Sequence, residues 1–182
     1  MDINHDHFGF YLAWGDLVFL PAFYTLQAQY LARFPTDLSD LHSLSILIIG
    51  IGGYCIFRGA NHQRDYVRAC GGKLPIIWGR PAQCIPCTYT TNDGNQHSTL
   101  LLTSGWWGQA RHINYLGDLL QAFAMCSTCG LDHILPWSYF FFMVVLLVHR
   151  IERNDQRCRD KYGSKWTEYC ANVPYKIFPG VY

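Results

Sequence analysis

Apolar positions in this chain fall in long blocks rather than in a simple helical or alternating period. The first block, "FGFYLAWGDLVFLPAFYTLQAQY" from Phe8 to Tyr30, is broken only by Asp16 and Pro21. A bilayer crossing takes about 20 apolar residues, so this block is long enough to span. The second, "LHSLSILIIGIGGYCIF" from Leu41 to Phe57, is closed by Arg58. Its Gly50, Gly52 and Gly53 would weaken a soluble helix but allow helices to approach closely in lipid. Between the two blocks, Pro35, Thr36 and Asp37 predict a turn. Leu116–Gly130 is apolar but short of a crossing. Leu131–Val148, "LDHILPWSYFFFMVVLLV", is a full span closed by His149 and Arg150.

A polar interval, roughly 61–97, separates the second block from the third. Within it "CTYTTNDGNQHSTLLLTSG" predicts a short hairpin around Asp93-Gly94, with β-favouring residues on both sides. From Arg150 the chain turns charged and is predicted helical to about Tyr169, before the closing "VPYKIFPGVY". Together these blocks predict an all-α, multi-spanning transmembrane protein with one short polar hairpin inserted.

Composition supports this reading. The chain of 182 residues is 50% hydrophobic, 16% aromatic and 15% charged, against about 25% charged in soluble domains. The alternative is that the blocks are core helices of a soluble protein. Several near-spanning runs together with so little charge weigh against it. In a membrane, Asp16, Asp118 and Asp132 are expected to face a cavity or a partner.

Charge refines the picture without changing it. The net charge of +1 gives no general attraction to nucleic acid, so nucleic-acid binding is discounted. Residues 1–60 carry five acids and two bases, whereas residues 149–182 carry seven bases and four acids. That basic end suits anionic lipid or a phosphorylated ligand. Eight cysteines include two C-x-x-C pairs, Cys84/Cys87 and Cys126/Cys129. Two thiolates at that spacing can hold zinc. The second pair, however, lies in an apolar run where thiols behave as small hydrophobes, so no metal is expected.

Candidate chemistry concentrates in "SGWWGQARHINYLGD", Ser104 to Asp118. On a helix, Arg111, Tyr115 and Asp118 would share a face with Asn114 beside them. They offer a cation, an amide, a phenol and a carboxylate to a polar ligand, and Trp106 and Trp107 could stack on a flat ring. The other reading is an interfacial aromatic belt. Arg64 and Arg68, one turn apart, can clamp a phosphate or anchor a span at the interface. In the tail, Cys158, Tyr162, Trp166 and Tyr169 follow one another along a similar face. With Arg157, Arg159 and Lys161 they predict a cationic, aromatic ledge, or else an amphipathic interfacial helix. No dinucleotide glycine fingerprint or P-loop is present, so any nucleotide pocket is not a Rossmann fold.

Four segments carry a family resemblance: "FGFYLAWGDLVFLPAFYTLQAQYL", "LLTSGWWGQARHINYLGDLL", "HILPWSYFFFMVVLLVHR" and "CRDKYGSKWTEYCANVPYKIFPG". In order and over almost the whole chain, they resemble the sterol reductase family of the endoplasmic reticulum. The likeness is nearest to the branch that reduces the Δ7 bond of 7-dehydrocholesterol-like sterols. Δ14 members tend to have proline where Ile113 stands, and "HDHFGFYLAWGD" and "FRGANHQRD" also look Δ7-like. A more distant likeness is to the isoprenylcysteine-type membrane methyltransferases, which would imply S-adenosylmethionine.

The resemblance implies a multi-pass enzyme of the endoplasmic reticulum membrane and an NADPH cofactor. It also implies sterol and lipid as partners, and association with other sterol-biosynthesis enzymes. This chain would be the C-terminal portion, well under half of a usual member, and would build most of the NADPH pocket. Residues 150–182 would be its cytoplasmic, cofactor-facing tail. Carried over by motif, the cofactor residues are Arg64, Arg68, Leu102, Trp107, Asn114, Tyr115, Asn154, Cys158, Arg159, Asp160, Lys161, Tyr162 and Tyr169. Close relatives usually have lysine at 64 and aspartate at 154; here Asn154 lacks the carboxylate, and its hydrogen bond is lost unless the following Asp155 substitutes. Protonation followed by hydride transfer would reduce the ring, with Tyr169 and Tyr115 as candidate proton donors and Asp118 as an orienter. A sterol-reductase-like scaffold without catalysis is the non-enzyme alternative.

Overall fold

The computed structural model describes residues 8–70, 75–91 and 94–182. The first apolar block does not form one straight helix. It divides into α1 (Phe8–Trp14), a π-helical stretch (Gly15–Tyr24) and α2 (Leu26–Arg33). Pro21 lacks the N–H that an α-helical ladder needs and crowds the preceding turn. The wider winding instead gives the Thr25 N–H to the Leu20 carbonyl at 3.2 Å. Thr25 Oγ1 and Gln29 Nε2 donate to the carbonyl of Pro21 itself, at 3.0 and 2.8 Å.

The second block opens helix α3 (Asp40–Ala69), capped by Ser39, whose Oγ accepts from the His42 N–H. The helix runs well past Arg58, because "GANHQRDYVRA" contains no proline and nothing else that stops it. Its 30 residues span roughly 45 Å, more than the ~30 Å apolar core of a bilayer. The last turns, with Arg64 and Arg68, therefore project beyond the apolar part.

Two antiparallel pairs follow. A minimal pair, β1 (Ile76–Ile77) and β2 (Arg80–Pro81), was not foreseen from sequence; it turns at Trp78 and Gly79, both at positive φ. The expected hairpin is present as β3 (Cys84–Thr90) and β4 (Gln96–Leu102), in register from Cys84↔Leu102 to Thr90↔Gln96. Asn92 and Asp93 of its expected turn lie outside the described residues. The chain is thus mostly helical rather than all-α.

A single 3₁₀ turn (Gly105–Gly108) leads into α4 (Ile113–Ser127), and a second (Leu135–Trp137) leads into α5 (Ser138–Tyr162). Helix α5 begins later than the apolar run from Leu131, and it does not stop at His149-Arg150. Apolar span and charged ledge are one continuous helix, ended by Gly163 at φ 55°. Helix α6 (Ser164–Asn172) starts directly after it.

The closest helix crossing is between α3 and α4, at Gly53 and Gly117. A methyl group on Gly117 would stand 2.6 Å from the Gly53 carbonyl oxygen, and one on Gly53 would stand 2.8 Å from that of Gly117. Gly52, one residue away, has nothing within 4 Å of such a methyl. Of the three glycines in the second block, Gly53 sits at the closest approach, whereas a methyl on Gly50 would meet Ala124 of α4 at an ordinary 3.5 Å. Gln27 of α2 is buried among α4 and the start of α5, donating to the Pro136 carbonyl at 3.1 Å and to the Cys126 sulfur at 3.4 Å.

Among the described residues, two helical stretches are long and apolar enough to cross a membrane: Asp40–Ala69 and Leu135–Tyr162. Only 11% and 22% of their apolar windows are buried within the chain, unlike the core helices of a soluble domain. Leu41, Leu44, Leu47, Ile48 and Ile51 lie exposed along α3. Of the three aspartates in apolar surroundings, Asp118 turns partly inward, whereas Asp16 and Asp132 are exposed.

Candidate cofactor pocket

Where the projecting end of α3, strand β4, the start of α4, the far half of α5 and α6 meet, they enclose a cavity of about 650 Å3. Each wall owes its position to a local feature. The unbroken end of α3 brings Arg64 and Arg68. The hairpin brings Leu100–Leu102 and is tied to α5 by Tyr89, whose ring lies 3.6 Å from Lys161 Nζ and edge-on to Tyr162. Trp107 is fixed by its indole N–H, which donates to the Ala60 carbonyl at 2.7 Å, and the Arg64 guanidinium lies 5.5 Å above its ring.

The structure brings together most of the residues singled out in the sequence. Arg64, Arg68, Leu102, Trp107, Asn114, Tyr115, Asn154, Cys158, Lys161, Tyr162 and Tyr169 all line this one cavity. Arg159 and Asp160 do not; both are exposed on the outer side of α5. A helix turns about 100° per residue, so a five-residue run cannot present every side chain to one wall. Asp118 does not line the cavity either. Its nearest cation is Arg150 of α5, which also bonds the Tyr115 side chain.

Other lining residues were not carried over by motif: Arg150, Arg153 and Arg157, and also Arg111, His112 and Trp166, although Arg111 belonged to the candidate cluster and Arg157 and Trp166 to the ledge. The first three had a readable signal. Positions 150, 153, 157 and 161 repeat at the helical period, which draws one cationic stripe along α5.

Arg111 is not on the helix face assigned to it. Helix α4 begins at Ile113, and the backbone N–H groups of Arg111 and His112 instead donate to the carbonyls of Tyr175 and Lys176, at 3.0 and 2.8 Å. The closing segment thus holds residues 111–112 in a turn ahead of the helix, and Arg111 projects toward α5 and α6. There it meets Asp155 at 3.9 Å and donates to the Cys170 sulfur. His112 Nε2 lies 4.0 Å from the other Asp155 oxygen. Asp155 is 6% exposed and turned away from the cavity, so it does not take the place at the pocket wall that Asn154 occupies.

Burial lowers the His112 pKa to about 4, although Asp155 acts to raise it. Desolvation dominates because the ring is largely buried, and the Arg111 charge opposes a second cation. His112 is therefore neutral at pH 7, and Arg111 with Asp155 leaves this cluster without net charge. Tyr169, buried on α6 beside Arg111, has its pKa pushed up by burial, with Arg111 the chief influence in the other direction. Its phenol stays protonated.

The cavity thus joins several guanidinium groups and a lysine to a set of flat aromatic rings. That donor set fits a long, phosphorylated ligand with planar ends, and the volume lies within the ordinary range for cofactor pockets.

Comparison with known proteins decides the family. The family model described as the ergosterol biosynthesis ERG4/ERG24 family matches residues 1–182. The chain belongs to this family.

Among curated relatives, 7-dehydrocholesterol reductase of Xenopus laevis is 48% identical over 182 residues, covering 100% of this chain and 38% of that protein. Delta(14)-sterol reductase TM7SF2 of Mus musculus is 47% identical over 182 residues, covering 100% of this chain and 42% of that protein. Delta(14)-sterol reductase of Methylotuvimicrobium alcaliphilum is 42% identical over 181 residues, covering 100% of this chain and 40% of that protein. The chain therefore spans well under half the length of these ERG4/ERG24 relatives. Ile113, the position that separated the two branches in the sequence, is 1% exposed and packs on Ala60 and Ala110. It is the first residue of α4, where proline is also well accommodated. Its contacts are with the core and not with the cavity.

Proposed function

We propose that the chain supplies the cofactor-binding portion of an NADPH-dependent sterol reductase. It acts on a ring double bond, by preference the Δ7 bond of 7-dehydrocholesterol-like sterols. The observation that carries this reading is the single cavity that gathers the cations of α3 and α5 around aromatic walls. Membership of the ERG4/ERG24 family and the names of its relatives support the reaction class.

In this reading Arg64, Arg68 and Lys161 hold the phosphates by charge-assisted bonds, and Trp107 and Tyr162 flank the flat rings. Leu102 closes the apolar side, while Asn114, Asn154 and Cys158 contact the polar edges. When bound, NADPH supplies the hydride that completes the reduction. The chain's own part is to orient the cofactor, keep water from the sterol ring and deliver a proton. Tyr169 holds that proton on its phenol oxygen, and Arg111 beside it stabilises the phenolate left after transfer. Tyr115 is the second candidate donor. Asp118 acts through Arg150 to orient it. The protein sits in the endoplasmic reticulum membrane as a multi-pass chain, with the two long apolar helices in lipid. Sterol reaches it from the bilayer, and neighbouring sterol-biosynthesis enzymes are its expected associates.

Titration of the purified protein with NADPH tests the reading, with NADH, adenosine 2′,5′-bisphosphate and S-adenosylmethionine as comparisons. Saturable binding of NADPH supports it, and binding of S-adenosylmethionine alone would replace it with a methyl transfer. The bond is then assigned from sterol profiles of cells lacking the full protein. Accumulation of Δ7 sterols is expected, and accumulation of Δ14 sterols would move the assignment to the other branch. Normal sterol profiles together with NADPH binding would favour a scaffold.

A further inference from the structure

At the pocket wall lies a buried charged cluster of which the proposed function uses only Arg111, as the neighbour of Tyr169. Arg111, His112 and Asp155 are 8%, 5% and 6% exposed. Arg111 Nη2 and His112 Nε2 stand 3.9 and 4.0 Å from the two oxygens of Asp155. Arg111 Nε, His112 Nε2 and Asp155 Oδ1 are buried without a hydrogen-bond partner. Ionic groups held this far from water at such spacings are costly, and apolar residues would stabilise the fold as well or better.

The cluster's connections show where its effect goes. Arg111 and His112 are bound through their backbone to Tyr175 and Lys176, and Arg111 reaches Cys170 of α6 through its guanidinium. Asp155 belongs to α5, next to the pocket residue Asn154. The cluster thus links the start of α4 with α5, α6 and the closing segment, which together form much of the cavity wall. Arg111 and His112 line the cavity; Asp155 does not.

We propose that Arg111 is a ligand-binding residue of the pocket and that Asp155, together with His112, is a positioning residue that sets its guanidinium. This inference rests on the NADPH reading above. Asp155 acts from outside the cavity by fixing the direction of the Arg111 fork and the spacing between α4 and α5.

The test separates positioning from simple stability. In the purified protein, Asp155→Asn leaves a buried guanidinium uncompensated, so the dissociation constant for NADPH should rise at least tenfold. To separate binding from folding, a double variant, Arg111→Met with Asp155→Leu, replaces the ion pair by apolar groups of similar size. Its unfolding midpoint without ligand should return to near the original value while NADPH affinity stays at least tenfold weaker. Exposed Glu152→Gln should bind as the unaltered chain does. A double variant that binds NADPH with unaltered affinity would overturn this inference alone and leave the cofactor reading standing. Failure of the unaltered chain to bind NADPH would overturn both. If the double variant does not fold, His112→Gln decides: weaker NADPH binding at a temperature where the variant is fully folded supports the inference, and unchanged binding overturns it.

Discussion

Gly53 of α3 and Gly117 of α4 meet backbone to backbone, leaving no room for a methyl group on either. This crossing sets the distance between the helix that carries Arg64 and Arg68 and the helix that begins beside Arg111. The geometry of the pocket therefore depends on two residues that never touch its ligand.

Gly117→Ala would press its new methyl against the Gly53 carbonyl at 2.6 Å and the Phe57 amide nitrogen at 2.7 Å. Backbone atoms cannot rotate aside, so the helices must separate at a cost of about 1–3 kcal/mol. Gly52→Ala meets nothing within 4 Å and should be neutral or slightly stabilising. Unfolding midpoints of the two variants in detergent provide the check, and equal midpoints would contradict the crossing.

Replacing Tyr169 by phenylalanine removes the proposed proton and leaves the ring packing against Trp166 and Val173. Turnover should fall by roughly 10²–10⁴-fold, with NADPH affinity changed little. Sterol turnover by the full protein and cofactor titration read the two effects separately. Unchanged turnover would transfer the donor role to Tyr115.

Arg64→Ala removes a cation that both lines the cavity and rests over Trp107. Loss of one charge-assisted contact should weaken NADPH binding by roughly 10- to 100-fold. Adenosine 2′,5′-bisphosphate should lose affinity by a similar factor if Arg64 serves the adenosine phosphates. Equal affinity of variant and unaltered chain for both ligands would remove Arg64 from the site.

His112 gives a pH dependence of definite sign. Its folded pKa of about 4 lies below the ordinary 6.5, so between those values the unfolded chain binds the proton more readily. Stability is complete above about pH 6.5 and declines as pH falls toward 4, by at most about 1.4 kcal/mol per unit. His112→Gln should lose this component, so the difference in unfolding midpoint between the two proteins should narrow as the pH drops. A constant difference from pH 7 to pH 5 would show that His112 does not titrate in this way.

Much of this was legible in the sequence, because it depends on local patterns. Long apolar runs with few charges determined the two membrane-length helices. A polar stretch rich in β-branched residues and glycine determined the hairpin. The recurrence of Cys158, Tyr162, Trp166 and Tyr169 determined the aromatic ledge, even though Gly163 divides it between α5 and α6. Local patterns also misled. The charge at Arg58 was read as closing the second run, yet arginine favours helix as well as most residues do, and the helix continues to Ala69.

The placement of Arg111 and Asp155 was beyond such patterns. Spacing alone put Arg111 on a helix with Tyr115 and Asp118. Pairing with Tyr175 and Lys176, more than sixty residues away, holds residues 111–112 in a turn ahead of the helix and directs the guanidinium toward α5. Likewise Asn154 and Asp155 are neighbours in the chain, and only the packing of α5 makes one face the cavity and the other the buried arginine. The sequence by itself determined which residues would be helical, apolar or charged, since those properties are set within a turn or two. Which charges share a pocket and which are sealed behind it was decided by long-range contacts, because burial and pairing exist only once the helices have met.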